Sequence, residues 1–184
     1  MGPQAYDDRV LIRRETAADH DTVRQLTAAA FRQPDGPTPI EVGLLDQLRV
    51  GPWFLPALSL VAQDVDGSIV GHVICTRATV RTETGPLPTL GLGPISVAPD
   101  RQRTGVGSAL MHAVLGGADA LDEPMVVLLG DLRYYRRFGF ELTGPYGIVP
   151  PDPDWAAHFQ VRTLQAYDPS MRGAFDYAQP FNEM

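Results

Sequence analysis

Lysine is absent from this 184-residue sequence, and cysteine occurs only once, at Cys75. Without lysine, the chain cannot use Schiff-base chemistry or supply the phosphate-binding lysine of a Walker loop. A single thiol cannot form an internal disulfide, which fits a reducing cytoplasm. Because Cys75 lies in the apolar run 70–76, we expect it to be a small buried hydrophobic residue and not a nucleophile.

Long apolar runs and clustered metal ligands are missing as well. No stretch approaches the ~20 apolar residues that cross a bilayer, so we expect no membrane partner. Residues 1–8 are polar and lack the pattern of a secretory signal. The four histidines and one cysteine are spread too widely to predict a metal site. A formal net charge of −7 argues against a nucleic-acid partner and is compatible with a cationic acceptor.

Helix and strand signals alternate along the chain and predict a single domain over 1–184 of the α/β or α+β class. The predicted strands cover residues 10–14, 59–64, 69–80, 92–97, 125–129, 140–143 and 158–164. The predicted helices cover residues 16–31, 38–50, 104–116 and 131–138, with Thr38 as the N-cap of the second. Residues 85–88 are predicted to form a turn. We expect a core over about 8–144 and a C-terminal extension over 145–184 with one strand and an irregular tail.

The turn between the fourth predicted strand and the third predicted helix carries the most informative pattern. Gly105 and Gly107 lie where the chain enters the helix, and glycine lets the backbone approach a ligand closely. The first N–H groups of a helix lack partners and face the positive end of its dipole, so a pyrophosphate suits this turn. Arg101 and Arg103 add positive charge. Leu110 excludes the dinucleotide fingerprint G-x-G-x-x-G, and a purely structural turn is the alternative.

A second pattern follows one strand later, in Tyr135-Arg136-Arg137-Phe138-Gly139-Phe140. It matches the signature Y-x-x-x-G-F, and residues 102–107 match Q/R-x-x-G-x-G/A at every fixed position. In this order and spacing, the two patterns resemble those of the GNAT superfamily, the Gcn5-related N-acetyltransferases. The resemblance covers about residues 8–144 in element order. Residues 92–94 and the tail near 176–178 are similar to a bacterial, YhbS-like branch.

The resemblance implies a fold and a donor site. The fold is a mixed, mostly antiparallel central sheet with helices on both faces and a splay between strands four and five, here 92–97 and 125–129. In that splay the backbone would bind the pantetheine arm of acetyl-CoA, the acetyl donor, and the glycine turn would bind its pyrophosphate. The implied cofactor-binding residues are Ile95, Ser96, Val97, Gln102, Arg103, Thr104, Gly105, Val106, Gly107 and Ser108.

The resemblance also implies direct transfer of the acetyl group to a primary amine of a small molecule or protein, without an acyl-enzyme. The Val97 N–H would stabilise the developing oxyanion, and the Tyr135 phenol would protonate the departing thiolate. Residues 90–98 contain no carboxylate to act as the base, so Glu83, Ser96 and a water chain stay open as candidates. We interpret His72 as a core residue.

Two other functions remain open at this point: a non-catalytic acyl-CoA sensor or scaffold, and a purely structural domain. A homodimer is a further possibility. The acceptor would be shaped by the loop 32–37, the second helix and the segment 144–155. The acidic residues of these parts are consistent with a cationic acceptor or with a solvated surface; they are Asp35, Glu41, Asp152 and Asp154.

Overall fold

The computed structural model describes residues 10–183. Its strands are β1 (Leu11–Arg14), β2 (Phe54–Gln63), β3 (Ile69–Thr82), β4 (Gly85–Val97), β5 (Met125–Leu129), β6 (Glu141–Leu142), β7 (Ile148–Val149), β8 (Phe159–Thr163) and β9 (Gly173–Asp176). Its α-helices are α1 (His20–Ala30), α2 (Ile40–Val50), α3 (Val106–Ala120) and α4 (Leu132–Tyr135). Within this range, no helix has the length and apolar character that a membrane crossing needs.

The strands form one mostly antiparallel sheet in the order β1-β2-β3-β4-β5-β8-β6, with β9 paired to both β3 and β7. β4 and β5 are parallel, and they pair only at Leu90 with Val126 and at Gly91 with Val127. Beyond Gly91 the two strands separate, so the second half of β4 has no neighbour on that side. This is the predicted splay, and the mixed, mostly antiparallel sheet is confirmed.

Helices cover both faces of the sheet, as expected. Successive residues of a strand point to opposite faces. Leu60 therefore packs with Leu110 of α3 in one cluster, whereas its neighbour Val61 packs with Leu45 of α2 and Val23 of α1 in another. The sheet therefore lies between α3 on one face and the α1–α2 pair on the other.

Two predicted boundaries at prolines are wrong. The N-cap of α2 is Pro39 and not Thr38. Residues 85–88 belong to β4, because Pro86 pairs with Arg81 and Pro88 pairs with Thr79. β5 does not reach this part of β4, so the prolines lie on a free strand edge, where a missing N–H costs no ladder hydrogen bond.

The end of α3 is also later than predicted, since the helix continues past Gly116 and Gly117 to Ala120. A Cβ on Gly117 would lie 3.2 Å from Leu58 of β2. The glycine therefore serves close packing of α3 on the sheet and does not end the helix.

The C-terminal extension contains three strands, β7, β8 and β9, so the prediction of one strand and an irregular tail is wrong. Phe175 of β9 pairs with Val80 of β3 and is fully buried. Its ring contacts Phe159 of β8 and Tyr177 edge-on. β9 has only four residues, too few for a recognisable period in the sequence.

A buried cluster of polar side chains connects the end of β1 with α2 and the sheet. Ser59 Oγ donates to Glu15 Oε2 at 2.7 Å and lies 3.1 Å from His72 Nε2, while Arg49 forms an ion pair with Glu15. Burial alone would raise the pKa of Glu15, but the nearby His72 ring and the hydrogen bonds from Arg49 and Ser59 outweigh it and lower that pKa to about 2. Burial also lowers the pKa of His72, which keeps the ring neutral. His72 is a core residue, as expected.

Candidate active site

The glycine turn presents unpaired N–H groups at the start of α3. Gly105 is the N-cap residue, with φ of +99°, a left-handed conformation that favours glycine. The first α-helical bond runs from the Ala109 N–H to the Gly105 carbonyl at 2.9 Å. The N–H groups of Val106, Gly107 and Ser108 therefore have no partner inside the helix. Together with the helix dipole, they give this turn the unpaired donors and the positive potential that an anion site needs.

A cleft of about 630 Å³ opens in front of this turn. Seven of the predicted cofactor-binding residues line it: Ile95, Val97, Gln102, Arg103, Gly105, Gly107 and Ser108. The other three do not. Ser96 is buried and its Oγ lies 3.1 Å from Thr27 Oγ1, Thr104 donates to the Arg101 carbonyl at 2.6 Å, and Val106 packs in the core. These three residues could meet a ligand only through their backbone.

The charge of this cleft is positive, and no carboxylate lines it. Arg103 and Arg137 supply the charge. The Arg137 guanidinium lies 4.7 Å from the centre of the Tyr134 ring, and its Nε donates to the Tyr134 carbonyl at 2.9 Å. Arg101 forms an ion pair with Asp64 instead, so the prediction that Arg101 adds free charge at the turn is wrong.

The backbone of β4 faces the cleft at Ile95 and Val97. The Ala98 N–H donates to the Val70 carbonyl on β3 at 2.9 Å. The N–H and C=O groups of successive residues in a strand point alternately to its two sides. Those of Val97 and Ile95 therefore point away from β3 and into the splay. The Val97 carbonyl is not free, since Gln102 Nε2 donates to it at 3.3 Å.

A second cavity, of about 260 Å³, adjoins the cleft, and Ile95 and Phe31 line both. Its other walls come from distant parts of the chain: Glu41, Leu44, Leu92, Gly93, Pro94, Leu129, Tyr135, Trp155, Tyr177 and Phe181. Glu41 is the one acidic or basic side chain on these walls. The cavity is therefore apolar and weakly acidic, in contrast to the basic cleft.

The two neighbouring tyrosines of α4 divide between these spaces. Tyr134 lines the cleft, and its hydroxyl would lie 2.8 Å from a Cβ on Gly107. Tyr135 lines the second cavity, and its ring packs against Phe140 and over Gly130. Burial raises the pKa of Tyr135 to about 12, so its phenol stays protonated at neutral pH.

None of the side chains considered as the base lies in either space. Glu83 is exposed in the turn between β3 and β4. β4 runs from Gly85 to Val97, and at ~3.3 Å per residue this places Glu83 roughly 40 Å along the strand from Ile95. Ser96 and His72 are cross-strand partners, and both lie on the face opposite to Ile95 and Val97. These three side chains are excluded, which leaves a route through water or a group that the sequence did not single out.

Sequence reasoning found part of the second cavity. It predicted α2 and the segment up to Trp155, and it named Glu41 among four acidic residues, of which Glu41 alone lines the cavity. It missed Phe31, Tyr177 and Phe181. β9, which precedes Tyr177 and Phe181, has only four residues and so gives no recognisable period in the sequence that could have placed the tail beside the site.

Comparison with known proteins agrees with this architecture. A family model described as an acetyltransferase (GNAT) domain matches residues 11–143. Two uncharacterized N-acetyltransferases of Escherichia coli strain K12 are similar in sequence. YjhQ is 35% identical over 130 residues, covering 68% of this chain and 71% of YjhQ. YhbS is 31% identical over 179 residues, covering 94% of this chain and 99% of YhbS.

Solved structures of two GNAT family proteins match over nearly the whole chain. The Escherichia coli YhbS structure in complex with CoA has a TM-score of 0.83 at 27% identity, covering 95% of this chain and 92% of that one. A GNAT family acetyltransferase from Brucella melitensis in complex with acetyl-CoA has a TM-score of 0.75 at 32% identity, covering 95% of this chain and 99% of that one.

Proposed function

The chain belongs to the GNAT acetyltransferase family, and we propose that it transfers an acetyl group from acetyl-CoA directly to a primary amine. One observation carries this proposal: a cleft with unpaired amides and an apolar cavity with a protonated tyrosine meet at Ile95 and Phe31. The first space fits a phosphate-bearing donor, and the second fits an acceptor.

The donor fits the residues that are present. The N–H groups of Val106, Gly107 and Ser108 would bind the pyrophosphate, with Arg103 and Arg137 adding charge. Gly105 leaves open space for the ligand, since no atom beyond its neighbours along the chain lies within 4 Å of the point where a Cβ would project from it. The outward-facing backbone of Ile95 and Val97 would pair with the pantetheine arm as an added strand does. Apart from Arg137, all of these were predicted cofactor residues. Of the rest of the predicted set, Gln102 lines the cleft and Ser96 and Thr104 do not.

When bound, acetyl-CoA supplies a thioester whose carbon forms a bond to the acceptor nitrogen as its bond to sulfur breaks. The Val97 N–H points into the splay and would donate to the carbonyl oxygen as negative charge develops there. Tyr135 would give its proton to the departing sulfur. The acceptor nitrogen loses one proton, which passes to water, and water restores the proton of Tyr135. The products are an N-acetylated amine and CoA.

The setting proposed is the cytoplasm of a bacterium. The similar YjhQ, YhbS and Brucella melitensis proteins are bacterial. Cys75 is buried and unpaired, and burial raises the pKa of its thiol, which is compatible with a reducing compartment.

The test combines binding with turnover. Calorimetry with CoA and acetyl-CoA measures donor binding, and a thiol reagent detects free CoA released in the presence of a panel of primary amines. We expect binding of both nucleotides and amine-dependent CoA release, with the N-acetylated product identified by mass spectrometry. Binding without release for any amine would favour the sensor or scaffold, and absence of binding would favour a purely structural domain.

A further inference from the structure

The second cavity has the chemistry of a selective pocket. Most of its walls are aromatic or aliphatic, and among them Phe31, Leu44, Trp155 and Phe181 come from four separate parts of the chain. Apolar walls favour an apolar ligand, since removing hydrocarbon surface from water is favourable. A polyamine or a sugar amine would leave its polar groups without partners against these walls, at a cost in binding.

Glu41 is the exception in this apolar lining. Its side chain is half-buried in the first turn of α2, and within residues 10–183 it forms no ion pair or hydrogen bond with another side chain. The dipole of α2 explains why a carboxylate is tolerated in that turn. It does not explain why the carboxylate lines an apolar cavity, where an unpaired charge is unfavourable until a cation binds.

The size of the cavity limits the ligand. A volume of about 260 Å³ lies just below the ~300–1,000 Å³ of ordinary small-molecule pockets, so a compact ligand is favoured. A molecule such as 2-phenylethylamine or isopentylamine is of this size. Glu41, Ile95 and Tyr135 all line this one space.

We propose that the acceptor is a compact primary amine with an aromatic or branched aliphatic skeleton, and that Glu41 pairs with its ammonium group. This inference rests on the proposed acetyl transfer and names the substrate class of the same site. The apolar skeleton lies against Trp155 and Leu44. The charged nitrogen is attracted to Glu41 and loses one proton to water. The neutral amine then reacts at the junction marked by Ile95, where it loses a second proton to water as the amide forms.

The experiment compares amines of similar reactivity and different polarity. With acetyl-CoA saturating, kcat/KM is measured for 2-phenylethylamine and isopentylamine and for putrescine, spermidine, glucosamine and a peptide with a free N-terminus. We expect the two apolar amines to be preferred by about 10-fold or more, the discrimination that a few methylene contacts provide. Calorimetry with acetyl-CoA is run on the same protein sample.

Glu41→Gln tests the charge partner. We expect the KM for 2-phenylethylamine to rise about 10-fold, the lower range for losing a hydrogen bond to a charged group, with the dissociation constant of acetyl-CoA unchanged. Asp21→Asn is the matched control, because Asp21 is an exposed carboxylate in the first turn of α1. Trp155→Ala enlarges the cavity and should shift the preference towards a longer amine such as 4-phenylbutylamine.

The outcomes separate this inference from the acetyl transfer itself. If acetyl-CoA binds and the polar amines or the peptide react as well as the apolar ones, the substrate class is wrong while the acetyltransferase stands. The same holds if Glu41→Gln behaves as Asp21→Asn does. If acetyl-CoA binds and no amine reacts, the inference also fails, and absence of acetyl-CoA binding overturns both proposals.

Discussion

The basic cleft and the apolar cavity meet at Ile95 and Phe31, yet they are built in different ways. The cleft comes mainly from one continuous stretch, 95–108, and its central groups are backbone N–H and C=O. The cavity is assembled from Phe31, which follows α1, and from residues of α2, β4, β5, α4 and the C-terminal extension. A backbone site depends on local conformation and tolerates most side-chain changes, whereas a side-chain site can change its ligand through single substitutions.

The largest effect expected from this comparison follows a change in backbone conformation. Gly105→Val forces a β-branched residue into φ of +99°, which re-aims the N–H groups of Val106, Gly107 and Ser108. Losing two or three charge-assisted hydrogen bonds of about 1.5 kcal/mol each predicts an acetyl-CoA affinity roughly 1000-fold lower. Calorimetry measures the affinity, and circular dichroism checks that the domain is folded.

Gly116→Val is the control for this change, because Gly116 lies in the same helix with open space around its Cβ position and outside the cleft. It should bind acetyl-CoA as the parent chain does. Unchanged binding by the folded Gly105→Val variant would mean that the turn does not hold the donor.

The next largest effect is expected on kcat, from the two tyrosines that line the two spaces. Tyr135→Phe removes the phenol on the cavity wall, and kcat should fall about 100-fold, the lower range for a general acid, with acetyl-CoA affinity unchanged. Tyr134→Phe is the matched change on the cleft side, and its effect on kcat should be small.

The pH dependence of kcat tests the same assignment. Burial disfavours the phenolate and raises the pKa of Tyr135 to about 12, so the proton-donating form persists as the pH rises past 10, where an ordinary tyrosine titrates. The parent enzyme should show no loss of kcat from this group between pH 7 and 10.5. A decline in that range that disappears in Tyr135→Phe would contradict the assignment.

A smaller effect is expected from the side-chain charges of the cleft. Arg137→Gln removes one cation beside the proposed phosphate site, and acetyl-CoA affinity should fall about 10-fold, less at high salt because exposed charges are screened. Arg133→Gln is the control, since Arg133 is exposed and pairs with Asp131. Equal losses in the two variants would indicate a general effect of net charge and not a local contact.

The difference between the two spaces also explains how far the sequence could predict them. The cleft was predictable because Gly105 and Gly107 belong to a short local pattern with fixed spacing. The pairing of Arg101 with Asp64 was not, because it joins residues that are distant in the sequence. The cavity was only half predictable, since Tyr177 and Phe181 reach it through β9, whose pairing with β3 leaves no local signal in four residues.

The smallest effect concerns the contact that joins the turn to the splay. Gln102 is exposed, and its Nε2 donates to the Val97 carbonyl over a long 3.3 Å bond, so the side chain competes with a pantetheine amide for that acceptor. Gln102→Ala keeps the backbone N–H and frees the carbonyl, and a weak exposed bond of about 0.5 kcal/mol predicts an acetyl-CoA affinity about 2-fold higher. Gln102→Glu, which cannot donate and adds charge near Arg103, should instead bind the donor more weakly. If Gln102→Ala weakens binding about 10-fold, the side chain itself holds the donor, and the cleft relies on side chains as the cavity does.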